Sequence, residues 1–140
     1  MRWRSVLLFT ALILWATAAS AEEEIARLLT ARSERFLELL DQKNFLAIRA
    51  MQDPELRERI PEDIFLKTMN GVYGALTIFY DKPKLERLGN AGAEVSVRII
   101  YFREVDIGVD CQEIYWVLRG GEWFLSHFMT RAPSGSACAF

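Results

Sequence analysis

The stretch Cys111–Thr130, CQEIYWVLRGGEWFLSHFMT, decides how the rest of the chain is read. Gly120-Gly121 is a two-residue hairpin signal, because both central positions of a type I′ turn need positive φ. Folding there sets Arg119 against Glu122, an opposite-charge pair beside the turn. Strict alternation then pairs Leu118 with Trp123, Trp116 with Leu125, Ile114 with His127 and Gln112 with Met129, a mostly large apolar face. The opposite face carries Val117/Phe124, Tyr115/Ser126 and Glu113/Phe128 and is mixed. The remaining elements are expected to cover the apolar side.

Glu94 to Glu104 reads as the longest strand, and a turn at Ile107-Gly108 joins it to the hairpin. That turn aligns Val97 with Leu118, Ile99 with Trp116 and Tyr101 with Ile114. A slip of one residue would expose Val95, Val97 and Ile99 on the mixed face, so parity is strongly specified. Further back, Thr77 to Tyr80 is β-prone, Pro83 interrupts, and Leu85 to Leu88 resumes. This predicts a bulged edge strand, since proline cannot donate to a central ladder. Gly89-Asn90-Ala91-Gly92 reads as a turn.

The first half of the chain has helical periodicity. Ile25, Leu28, Leu29, Phe36, Leu37 and Leu40 predict an amphipathic helix over Glu22 to Leu40, with acids in its first turn. Asp41 to Asn44 breaks it, and Asn44 caps a short helix through Met51. Asp53-Pro54 is a cap followed by proline at the first helical position, and Ile60-Pro61 repeats the device. Phe65, Met69, Val72 and Leu76 form the next apolar stripe. Helices first, then an antiparallel sheet of about four strands with one greasy side, predict an α+β fold.

The 140 residues suffice for one domain. Met1-Arg2-Trp3-Arg4 is a basic start, Val6 to Trp15 is an apolar run, and Ala19-Ser20-Ala21 is a small-x-small cleavage site. This predicts a signal peptide over 1–21 and a single domain over 22–140 that is periplasmic or secreted. The other reading is an uncleaved anchor, the one route to a membrane. Cleavage removes Arg2 and Arg4 from the 17 basic side chains and none of the 19 acidic ones, so a net charge of −2 becomes −4. Such a domain has no overall pull toward nucleic acid. Export places Cys111 and Cys138, the two cysteines present, in an oxidising space where they can pair. Closing that loop would stabilise by roughly 3 to 4 kcal/mol, while the alternative is a buried Cys111 and a free Cys138.

The order of parts resembles the nuclear transport factor 2-like superfamily, a cone of helices in a curved antiparallel sheet. The features that carry it are the Glu22–Leu40 helix with its break, the Asn44-to-Gly74 helical segment, the long-strand meander and the closing Gly-Glu-Trp-Phe-Leu. The resemblance implies a small exported member; the superfamily holds isomerases, hydrolases and non-catalytic binding proteins, so it does not choose a function. It also implies dimer contact through the mixed face, here Ile100, Phe102, Tyr115, Phe124 and Phe128, with the C-terminal tail as the competing cover.

Polar residues gather at one end of the greasy face: Tyr101, Arg103, Asp110, Gln112 and His127, the one histidine. They are the candidate pocket, with His127 as a general base and Tyr101 or Arg103 polarising a bound oxygen. No metal-ligand spacing, phosphate loop or nucleophile elbow occurs, so no cofactor is expected. The first functional reading is a non-catalytic domain that binds a small apolar ligand or a protein partner, in a homodimer or an envelope complex. The second is an isomerase- or hydrolase-type enzyme, the third an assembly component of a secretion complex.

Overall fold

A computed structural model describes the backbone of residues 4–75, 82–91, 94–105 and 108–131, and the side chains of residues 20–75, 98–99 and 111–130. Gly120 and Gly121 adopt φ of 58° and 82°, the left-handed region that side chains with a Cβ disfavour. Strands β3 (Gly108–Arg119) and β4 (Glu122–Arg131) leave this turn with Arg119 opposite Glu122, Leu118 opposite Trp123 and Trp116 opposite Leu125, as alternation requires.

Beyond that point the register shifts. Tyr115 faces His127, Ile114 faces Phe128, Glu113 faces Met129 and Gln112 faces Thr130, with Ser126 as the extra residue of a β-bulge. The expected pairs Tyr115/Ser126, Ile114/His127, Glu113/Phe128 and Gln112/Met129 are therefore replaced. Uninterrupted alternation would force the His127 imidazole into the apolar layer and leave the Phe128 ring outside. The bulge exchanges them. Burying a phenyl ring is worth about 1.5–3 kcal/mol, and a polar ring buried without partners opposes folding.

Strand β2 (Glu94–Val105) runs antiparallel to β3, with Val97 opposite Trp116, Ile99 opposite Ile114 and Tyr101 opposite Gln112. The expected alignment differs by two residues, because Val105 already pairs with Gly108. An even displacement keeps side-chain parity, so the same residues of β2 and β3 still share a face. Strand β1 (Lys82–Ala91) pairs antiparallel with β2, in the order β1-β2-β3-β4, and its register shifts between Leu88 and Ala91. Its edge position accommodates Pro83. Gly89 and Asn90 belong to the irregular end of this strand and not to a separate turn; Thr77 to Tyr80 lie outside the described residues.

Helix α1 (Arg4–Asp41) is longer than the predicted Glu22–Leu40 segment, since the alanine-rich Ala16–Ala21 link contains no helix breaker. It ends where Lys43 takes φ of 58° and the Asn44 and Lys43 amides reach the Leu39 and Leu40 carbonyls at 2.9 and 3.2 Å. That pattern is a Schellman closure with a non-glycine residue in the left-handed position. Asn44 then caps α2 (Phe45–Met51) through the Ala47 amide, and Asp53 caps α3 (Pro54–Arg59) through the Glu55 amide. Helix α4 (Glu62–Tyr73) starts after Pro61, which occupies the cap itself and offers no side-chain bond. Its buried stripe is Phe65, Met69 and Tyr73, while Val72 is 55% exposed. Among the described residues no helix is long and apolar enough to cross a membrane.

The protein is α+β, with its helices preceding an antiparallel sheet. Leu29, Phe36 and Leu40 of α1, Ile48 of α2 and Phe65 and Met69 of α4 pack on Ile99, Ile114, Trp116, Trp123 and Leu125. The Trp116 indole donates to Ser33 Oγ at 2.8 Å, so both buried polar groups are satisfied. Phe128 packs on Phe36 and Tyr73, with ring centroids 4.8 and 5.6 Å apart.

Two substitutions read the bulge directly. Phe128→Ala is expected to cost about 3 kcal/mol in urea unfolding, and Met129→Ala less than about 0.5 kcal/mol. The reverse order would restore unbroken alternation.

Candidate functional site

The bulge divides the expected site. Tyr101 lies opposite Gln112 and Arg103 opposite Asp110, so four of the five candidate pocket residues occupy neighbouring rows on the parity of Ile99 and Ile114. The side chains of Tyr101, Arg103 and Asp110 lie outside the described residues. Gln112 is wholly buried. Its Nε2 donates to the Met129 and Glu113 carbonyls at 2.9 and 3.2 Å, and its Oε1 accepts from Thr130 Oγ1 at 2.6 Å. Thr130 Oγ1 also lies 3.3 Å from Tyr73 Oη, and burial raises the Tyr73 phenol above its usual pKa. Sequence reasoning missed Tyr73 and Thr130. The i+4 spacing from Met69 would have found the first, and only the bulge brings the second to this side.

His127 does not join this group. It shares the other face with Tyr115, the two rings stacked at 3.9 Å between centroids and 14° between planes. Its Nδ1 contacts Ser126 Oγ at 3.3 Å. The proposed general base is thus separated by the thickness of the sheet from the Tyr101–Gln112 row it was expected to complete. Phe128 makes the opposite move, leaving the expected interface for the core. Tyr115 and Phe124 remain on the mixed face, half-buried, and Met129 is 38% exposed there. Ile100 and Phe102 pair with Glu113 and Cys111, and their side chains lie outside the described residues.

What the mixed face brings together is a row across three strands: Arg98, Tyr115 and His127. Beneath it, Glu113 is 2% exposed. One carboxylate oxygen lies 3.3 Å from Arg98 Nη1, and the other accepts from Tyr115 Oη at 3.0 Å. A buried carboxylate held by a guanidinium and a phenol is compensated on both oxygens. Burial is the main cause raising the Tyr115 pKa; the Arg98 hydrogen bond opposes it. Burial also lowers the His127 pKa from 6.5, with the Glu113 charge acting the other way. The shift favours the neutral imidazole. Cys111 is fully buried beside this row, and Cys138 lies outside the described residues. Among the described residues no group of His, Cys, Asp or Glu could hold a metal ion.

Comparison with known families, curated proteins and solved structures finds no match, so the residues themselves carry the functional reading.

His127 gives a direct test of this geometry. Its ring-proton titration in an NMR experiment is expected to have a midpoint below 6.5, the ordinary value for an unshifted histidine. Because the folded-state pKa is depressed, this group's contribution to stability is present above the unfolded pKa. It is lost as pH falls through the window between the two values. A series of urea midpoints in His127→Gln should be flatter than wild type in that window.

Proposed function

We propose that the chain is a small exported binding domain without catalytic activity, which docks through the mixed face of its sheet onto a second copy of itself. The carrying observation is the engagement of Gln112. On the helix-facing side its amide is committed to two carbonyls and Thr130, and its neighbour Tyr73 to Thr130. An acid–base site needs groups free to exchange protons with a substrate, and Gln112, Thr130 and Tyr73 answer one another.

Cys111, Glu113 and Val117 of the mixed face are already buried, and it is the exposed part around His127 and Met129 that suits docking. Tyr115, Phe124 and Met129 offer aromatics and a thioether, types enriched at interfaces, and the His127 imidazole lies beside them. The Arg98 charge is answered by Glu113. Among the described residues of this face, a two-fold axis therefore meets Arg98 as a compensated charge. This reading extends the resemblance to the nuclear transport factor 2-like superfamily, with a curved sheet of about four strands and an envelope complex as the setting. It includes signal-peptide removal near Ala21. It also includes a Cys111–Cys138 disulfide, supported by the complete burial of Cys111 and by the lack of a free thiol among the described residues.

Sedimentation and native mass spectrometry of protein from the exported fraction test these points together. Expected are an N-terminus at Glu22, a non-reduced mass lower by two hydrogens than the reduced one, and a dimer. Met129→Glu should yield monomer with unchanged circular dichroism. A wild-type chain that stays monomeric at every concentration would sink the docking reading.

A further inference from the structure

At the hairpin end of the fold, four residues along β3 from Gln112, a cavity of about 230 Å³ opens between α1, the end of α2 and the start of β4. Its apolar lining is Trp116, Trp123, Phe124, Ala50 and Met51, and two charged side chains, Arg32 and Glu122, complete it. Both indole-bearing residues are buried, and the Ser33 hydroxyl fixes the Trp116 ring. The cavity therefore has a preformed wall.

The two charges are not spent on each other. Arg32 Nη1 donates to the Trp123 carbonyl, which orients the guanidinium and leaves its remaining N–H donors for another acceptor. Glu122 stands opposite Arg119 in the strand register, but Arg119 is drawn away. Its Nε donates to Asp53 Oδ2 at 2.6 Å, and its Nη2 lies 3.9 Å from Glu55. A cation and an anion thus border one small greasy space, and no ion pair joins them among the described residues.

We infer that this cavity binds a free α-amino acid with a large apolar side chain. The carboxylate would meet Arg32, the ammonium Glu122, and the side chain would lie against Trp123 and Met51. A purely anionic ligand such as a fatty acid would meet Glu122 as a like charge. A neutral apolar ligand would desolvate both charges without replacing their water. Size agrees, because the volume falls below the roughly 300 Å³ at which pockets for larger ligands begin. A peptide is disfavoured on the same chemistry, since each of its ends lacks one of the two charges. The site touches the mixed face through Phe124 but takes its charges from Arg32 and Glu122, so it needs no second copy of the chain.

The probe is L-phenylalanine, followed by titration calorimetry and by the tryptophan emission of the full chain. Saturable binding is expected, weakened about tenfold or more in N-acetyl-phenylalanine and, separately, in phenylalanine amide. Glu122→Gln should lower the affinity for phenylalanine and raise that for N-acetyl-phenylalanine, whose lone carboxylate then no longer meets a like charge. Arg32→Gln should abolish binding of both. Because Arg32 also holds the Trp123 carbonyl, the ligand series on the unaltered protein decides the matter if that variant fails to fold. Equal affinity for the zwitterion and its blocked forms, or no saturation by any of them, would overturn the assignment.

Discussion

One extra residue in β4 governs the distribution of side chains over the sheet. Ser126 has no partner position in β3, and everything after it changes sides. Without the insertion, a strand of this sequence has two poor choices. It can bury His127 with an imidazole to satisfy, or reverse its parity throughout and expose Trp123 and Leu125. The bulge accepts a local loss of ladder regularity and places Trp123, Leu125 and Phe128 all in the core. Against either alternative the bulge gains one or two large side chains, each worth about 1.5–3 kcal/mol, more than the net 0.5–1.5 kcal/mol of a typical interrupted hydrogen bond.

The helical half is held to β4 at one further point. Gln52 bridges to Leu125, the Asp53 amide donates to the Leu125 carbonyl at 3.0 Å, and the Asp53 carboxylate receives Arg119. The same carboxylate caps α3, so its two oxygens do different work, one for the helix and one for the sheet. At 4% exposure Asp53 is a buried charge, and removing its cation would leave it uncompensated. Arg49 ties the other side of this segment, with Nη2 donating to the Arg57 and Ile60 carbonyls at 3.0 and 2.7 Å. The loop from α2 to α4 is thereby fixed by two arginines. One of them, Arg119, is the residue that Glu122 would otherwise have paired with.

Which parts of this were legible in the sequence follows from what each signal encodes. Gly120-Gly121 dictates backbone sign, and the turn stands where the glycines put it. Asn44 and Asp53-Pro54 name their helix starts because capping needs a particular side chain at a particular place. The β2–β3 alignment was right in parity and wrong by two residues, since hydrophobic alternation fixes a face but not a loop length. The bulge was hidden because a period of two has no place for an insertion. Its trace is Ser126-His127, two polar residues in succession where alternation allows one. Val72 and Tyr73 were exchanged for a related reason: both are apolar neighbours, and only the direction of approach of the sheet selects between i+3 and i+4. The pocket inherited the bulge error through His127, and the Arg98–Glu113–Tyr115 cluster went unnoticed because its members were read one strand at a time.

The two faces of the sheet bear differently on function. On the helical side, Gln112, Thr130 and Tyr73 form a chain of hydrogen bonds whose members constrain one another, which favours one rigid arrangement of the core. On the other side, Glu113 is as deeply buried as a core residue, yet its two oxygens are already engaged by Arg98 and Tyr115. His127 stacks on that phenol and makes its own contact with Ser126, so no carboxylate–imidazole dyad forms. A general base must exchange its proton with a substrate, and the one histidine here is oriented by its stacking on Tyr115 and its contact with Ser126. The arrangement spends its polar groups on holding surfaces in shape. Groups held in this way keep a surface in one shape, and that is the support on which the docking reading proposed above rests.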